Sequence, residues 1–386
     1  TAPARAAVVI NPIYASSFTC NVCGIDPGTV VSLAGNSAAQ GAINAAAHQI
    51  GSQFSNKLTS NILFYGVHAG TDGFLAASLS SQTVYSYDQY TAALATDAAH
   101  NPGNITLNTA VANLGSGNGA NDPNALVVVN TTDARALHLG TGVDTAFGPG
   151  NSTPQFDATG GYLGGGGTVD GVVLLNLDQP LVYTRPVPGF TDAAGPLYDA
   201  QTSVEHEIDE IMGIGGAGSV LNAFNSDPTY AQDFYGVDGP LYGVMDLYRY
   251  QLGLPSFDPL IPSLTGCNNP AICSGLPSAY FSVDGGATSI DAFNQIFPVF
   301  GGDAGDWGLN VFQLCAGNQG IGGTGDVQDA FSCNNHMADV SRGTPAYKAY
   351  QAIGYNAAPE PATWAILTLG FGALGAALRR RRSAFA

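Results

Sequence analysis

The sequence predicts an α+β fold, with a mixed sheet, a backing helix and an acid-bearing helix in one part and a loop-rich, disulfide-containing C-terminal half. Three observations predict it. Two short apolar runs, NILFYGV at 61–67 and GVVLLNL at 171–177, have the length and composition of buried strands. Residues 199–216, DAQTSVEHEIDEIMGIGG, carry their apolar positions at helical spacing. Beyond residue 217, Gly, Asn and Asp accumulate together with four of the six cysteines, which is the composition of loops.

Taken in order, residues 6–18 (AAVVINPIYASSF) form a loose first strand, and 37–54, small residues with Ile43, Ile50 and His48, form the backing helix. The strand at 61–67 is closed by His68, read as a structural hydrogen-bonder. Residues 83–99 are expected to be helical and 125–129 a buried strand. The span GGYLGGGG at 160–167 lacks both dinucleotide-loop spacing and a phosphate-binding lysine, so it is a turn or lip and not a nucleotide site. The run at 171–177 is the clearest strand. The helix follows over about 199–213, capped by Asp199 or Thr202 and ended by Gly215 and Gly216. After it come a loop at 222–238, the segment YGVMDLYRY at 242–250, a strand entering a turn at 278–286 (SAYFSVDGG) and a last short helix at 345–355.

The acid-bearing helix holds three of only four glutamates in 386 residues. At 100° per residue, Val204, Ile208, Ile211 and Met212 form a core face. His206 and Glu210, four apart, share a second side with Glu207 next to them. Glu205 and Asp209 are expected to face solvent. An ordinary surface helix with chance acids is the bland alternative.

Composition excludes two classes. A hydrophobic fraction of 45%, with 51 glycines and few charges, fits a loop-rich secreted domain and not a disordered chain. The formal charge is −18, but Arg379 to Arg382 supply four of the eleven bases, so residues 1–358 hold 28 acids against 7 bases. A body this acidic repels phosphate backbones, so no nucleic acid is expected as a partner. The six cysteines allow fifteen connectivities, of which 20/23, 267/273 and 315/333 are the simplest. The chain begins at Thr1 with no charged head and apolar core, so a leader is expected to have been removed or to lie outside it.

Residues 1–356 read as one secreted domain and 357–386 as a tail. The tail holds Pro359-Glu360-Pro361, a mostly apolar run at 365–378 too short to span a bilayer comfortably, and the arginine cluster. These three parts resemble the PEP-CTERM sorting tail of Gram-negative bacteria. The resemblance implies transient inner-membrane anchoring, processing by an exosortase, release to the surface or extracellular matrix, and association with extracellular polysaccharide.

His206-Glu207-Ile208-Asp209-Glu210 differs from the His-Glu-x-x-His helix of zinc peptidases only in having glutamate for the second histidine. Carboxylate is a legitimate zinc ligand, although added negative charge lowers the metal's Lewis acidity. Val204 and Gly213 keep the apolar and glycine positions of that helix. With Gly216 where a further histidine ligand would stand, the third ligand must come from elsewhere: Asp246 is preferred, with His336 and Asp238 behind it. Asp246 has an equal alternative as the partner of Arg249, three residues on. YGVMDLY, with Met245, somewhat resembles the methionine turn of metzincins, and HExxE, DLYRY, YFSVDGG and GDAGDW (302–307) occur in the order found in secreted bacterial metalloprotease-like proteins.

That resemblance, over roughly residues 170–355, implies a zincin-like fold and zinc-dependent hydrolysis of a peptide or protein substrate. Glu207 would be the general base, Tyr248 or Arg249 an oxyanion donor, and the strand at 171–177 the edge along which a substrate lies. The rival expectation is a non-catalytic surface or matrix protein with a degenerate site; calcium or iron are alternative occupants to zinc.

Overall fold

The structure, a computed structural model, describes residues 8–16, 29–71, 74–114, 125–139, 169–185, 197–221, 241–251, 279–294, 303–308, 326–330 and 336–359. All six cysteines and the glycine-rich span at 160–167 lie outside the described residues.

The central strand of a five-stranded sheet is β3 (Thr59–Val67). β7 (Gly171–Asn176) pairs parallel with its residues 62–67, so the opposite edge is shared: β1 (Val9–Ile13) runs parallel along 59–63 and β2 (Val30–Ser32) antiparallel along 65–67. β4 (Ala76–Ser80) closes the far side, antiparallel to β7. Alternation sorts β3 and β7 onto two faces, with Ile62, Phe64, Val173 and Leu175 in the main core and Leu63, Tyr65, Val67, Val172 and Leu174 in a second cluster. Because both faces are covered, β7 is buried at every position. The run at 171–177 is therefore an interior strand, and the edge is β4, whose half-buried AASLS has too weak an apolar signal to stand out in sequence.

Two helices cover the main core face. α1 (Ser37–Gln53), capped by Asn36, lies over β1; α5 (Ala200–Met212) lies beside α1 over β4 and β7. Between them in sequence come β5 (Gln82–Ser86), α2 (Tyr87–His100), α3 (Ile105–Leu114), β6 (Leu126–Asn130) and α4 (Thr131–Ala136). The expected helix at 83–99 is thus split. Its first residues pair with β6, and Ser86 starts α2 with a capping box in which Gln89 answers it. β8 (Leu181–Val182) and β9 (Tyr198–Asp199) pair just ahead of α5. Past α5, β10 (Leu241–Gly243) runs parallel to β6, while β11 (Arg249–Gln251), β12 (Ala279–Phe281) and β13 (Asp291–Ala292) make a small antiparallel sheet. Finally, α6 (Pro345–Ala352) stacks its tyrosines, with Tyr355, around Phe54. Among the described residues no helix is long and apolar enough to cross a membrane.

The solvent side expected for α5 is covered: none of its residues is exposed, and only Gln201 and His206 are partly accessible. Val204, Ile208, Ile211 and Met212 face the core as their spacing predicts, each side chain contributing about 1.5–3 kcal/mol by burial. Glu205 and Asp209 are equally covered, because residues 338–350 pack on the helix's other side. Val340 N–H and the Gln201 amide donate to Glu205 (both 2.9 Å), and Tyr350 Oη donates to Asp209 (2.6 Å).

Candidate metal centre

α5 is started and stopped by side-chain chemistry. Asp199 accepts from Thr202 N–H at 3.1 Å, and Gly213, at φ 111°, takes the left-handed turn that ends the helix two residues before the expected glycine pair. Between these ends His206, Glu207 and Glu210 emerge on one side.

The carboxylate that meets them is Asp306. His206, Glu210 and Asp306 each offer a ligand atom, and the three atoms lie within 4.8 Å of one another. Asp306 is placed by the buried ring of Trp307 beside it, which stacks on Phe281 and packs at a tilt against Phe293, and by Asn294 N–H donating to its backbone oxygen (2.7 Å). The Gln328 amide donates to Asp306 Oδ1 at 2.9 Å and holds that carboxylate still. His206 Nδ1–H donates to Val327 O (3.1 Å), which leaves Nε2 on the side of Asp306 Oδ2, 3.8 Å away. Glu210 is fixed from two directions, by Ser78 Oγ of the edge strand β4 (2.5 Å) and by Gly216 N–H (3.1 Å). A Cβ on Gly216 would collide with the carboxylates of both Glu210 and Asp303, so only glycine lets the backbone come this close.

Four buried or half-buried carboxyls and one imidazole thus share a small space. Burial raises Glu207 to about 7, with the charges of Asp306 and Asp303 adding to it and His206 and a hydrogen bond from Glu210 opposing it. Glu210 is pushed well above the usual range by burial and by Glu207, Asp303 and Asp306, and Asp306 rises to about 6 chiefly through burial. Burial alone would lower His206, but Asp306, Glu207 and the Val327 carbonyl outweigh it and hold the imidazole at about 8. No Lys or Arg among the described residues forms an ion pair with Glu207, Glu210 or Asp306. One nitrogen and two carboxylate donors, buried and short of positive charge, are a donor set that fits a divalent cation.

Asp246, the expected third ligand, does not join this group. It is fully buried elsewhere, where Oδ1 accepts from Ser219 Oγ (2.6 Å) and Oδ2 from the N–H groups of Val220 and Gly243 (both 2.9 Å), so it staples two loop ends together. Arg249 Nε stands 3.6 Å away, the pairing that spacing offered as the alternative. Nor do the expected oxyanion donors reach the centre: Tyr248 Oη donates to Ala352 O, and the Arg249 guanidinium lies over the Phe293 ring and donates to Ala304 O. His336 is exposed, and Asp238 lies outside the described residues. Met245 is buried against Gly218, in the same turn as Gly216.

The structure brings together the helix residues that the sequence singled out and adds Asp306, Asp303, Gln328 and Ser78, which the sequence did not point to. GDAGDW was the one available signal, since it stood among the motifs in order, but nothing in its spacing tied its aspartates to His206.

Pro359 lies at the end of the described residues, and Glu360 and Pro361 lie beyond them. No curated protein and no solved structure matches the chain. Residues 357–382 match the family model of the PEP-CTERM protein-sorting motif, which marks the chain for export and for processing by an exosortase.

Proposed function

We propose that the chain is a secreted metallopeptidase in which His206, Glu210 and Asp306 hold a zinc ion and hydrolyse peptide bonds at the cell surface or in the extracellular matrix. The observation that carries this is the convergence of these three side chains with Glu207 beside them. When bound, zinc would lower the pKa of a water molecule and polarise a carbonyl. Glu207, poised at about 7, would accept the proton from that water at its carboxylate, since a base is most effective near the operating pH. Ser78 and Gly216 N–H keep Glu210 turned inward, and Gln328 does the same for Asp306. The edge strand β4 runs past the centre through Ser78, and an extended peptide is the substrate that such an edge accepts. Calcium or iron would suit the same oxygen-rich donors.

The test is the metal content of the purified protein and its peptidase activity, compared with Glu207→Gln. Stoichiometric zinc and a loss of about 10²–10⁴ in kcat with zinc retained are expected. A metal-free wild type would sink the proposal.

One observation favours a second reading. Glu207, Glu210 and Asp306 are buried and only His206 keeps some side-chain exposure, 15%, whereas catalytic zinc sites keep an open position. A closed structural centre in a matrix protein associated with extracellular polysaccharide would bind zinc, cleave no peptide, and bind the producer's polysaccharide.

A further inference from the structure

The body holds residues 355–358, the last two of which lie inside the match to the sorting motif at 357–382. Tyr355 Oη donates to Met212 O, the last residue of α5, and its ring packs on Phe54 and Tyr350. Asn356 is held at every polar group: its N–H donates to Asn56 Oδ1 (2.7 Å), its amide donates to Asp97 Oδ2 (2.9 Å) and accepts from Asn104 (3.0 Å), and its carbonyl accepts from Ser55 N–H (2.8 Å). Ala357 forms an antiparallel bridge with Phe54. Ala358 N–H donates to Gln53 O at 2.7 Å, and its carbonyl accepts from Arg342. The next residue is Pro359, the first of Pro-Glu-Pro.

Enzymes that cut peptides bind several residues on each side of the scissile bond in extended form, through the backbone groups of those residues. On the body side of this motif those groups are already used, by Gln53, Ser55, Asn56 and Arg342.

We infer that the folded body competes with the sorting enzyme for residues 356–358, so that processing of the tail waits on the local opening of this short bridge from the end of α1. The cut itself breaks a peptide bond beyond Ala358; its acyl half passes to water or to an amine acceptor and its amine half leaves with the tail. Neither changes the requirement that residues 356–358 come free first. The opening detaches these six hydrogen bonds but leaves α6 and the sheet intact, so it is a local event and not global unfolding.

The test follows tail removal by pulse-chase with the full chain in a Gram-negative host that makes an exosortase. A ten-residue Gly/Ser insert between Ala358 and Pro359 gives the enzyme free backbone without touching the body, and it is expected to speed processing by about tenfold or more. Asn356→Ala, which loosens the segment without lengthening it, is expected to give a smaller acceleration, together with faster hydrogen exchange at the Ala358 amide. Processing of the insert at the wild-type rate would overturn the inference. So would a chain whose tail is not removed in either form, because the motif would then not be read at all.

Discussion

The two ends of α5 treat buried acid in opposite ways. At the N-terminal end Asp199, Glu205 and Asp339 gather around Arg185, at 2.9, 4.0 and 2.5 Å, and the same guanidinium donates to Ala338 O. One turn further on, Glu207, Glu210 and Asp306 gather around a single imidazole. The first cluster brings its own cation, and its effect is to tie residues 338–340 to the helix. The second leaves negative charge under cover with too little to balance it, a costly arrangement unless something from outside completes it. Burial of carboxylates is common to both, so burial does not mark the functional cluster. What does is the shortage of counter-charge: among the described residues, one imidazole faces three carboxyls, with no Lys or Arg paired to them.

The comparison is broken most severely by removing Arg185. Asp199 and Glu205 would then be as uncompensated as the other cluster, and Arg185→Ala is expected to cost about 2–4 kcal/mol, at the low side of values for buried pairs because the arginine is a quarter exposed. Chemical denaturation would show this as a lower midpoint, with metal content unchanged. If the metal were lost as well, the two ends would not be separate devices.

A smaller effect sharpens the contrast from the other side. Glu210→Gln removes a buried carboxyl that has no Lys or Arg paired to it among the described residues, so the metal-free protein is expected to keep its stability to within about 1 kcal/mol or to gain. The same substitution should abolish stoichiometric metal binding, measured by calorimetry. A large loss of metal-free stability would mean that Glu210 is a structural group like Glu205.

The smallest effect is on pH dependence. Glu207 at about 7, Asp306 at about 6 and His206 at about 8 all lie above their ordinary values, so in the metal-free protein each binds its proton more tightly folded than unfolded. Their contributions are complete below the unfolded values and are lost as pH rises through about 6 to 8. The melting temperature of metal-free protein should therefore fall by a few degrees between pH 5 and 8.5, and zinc should flatten that slope. A melting temperature that rises over this range would contradict the arrangement.

Local pattern made much of the fold legible. α1, α5, β3, β6, β7 and α6 follow from periodicity and caps to within a few residues. What pattern could not reveal was set by distant neighbours. TVYS at 83–86 joined a strand because β6 lies beside it, and AASLS became the edge because β7 accepts it. In the centre, His206, Glu207 and Glu210 were legible because one helix presents all three. Asp306 was not, since about a hundred residues separate it from them and Trp307 and Gln328 deliver it there. Asp246 looked equally apt in sequence, because an aspartate that staples two loops and one that faces a metal are the same residue until the N–H groups of Val220 and Gly243 are seen pointing at it.

α5 is enclosed on every side, and Tyr355, Tyr350 and Val340 bind its carbonyls and acids as firmly as the sheet binds its apolar face. A helix capped and covered in this way has few routes to local opening, so its amides are expected to belong to the slowest-exchanging, most cooperative unit of the domain. A cation seated among His206, Glu210 and Asp306 would then be coupled to the opening of the whole body. At a thousandfold excess over its dissociation constant it would add about 4 kcal/mol to global stability. Outside the cell, where nothing refolds a lost protein, the centre would serve as a lock on the fold whatever chemistry it performs.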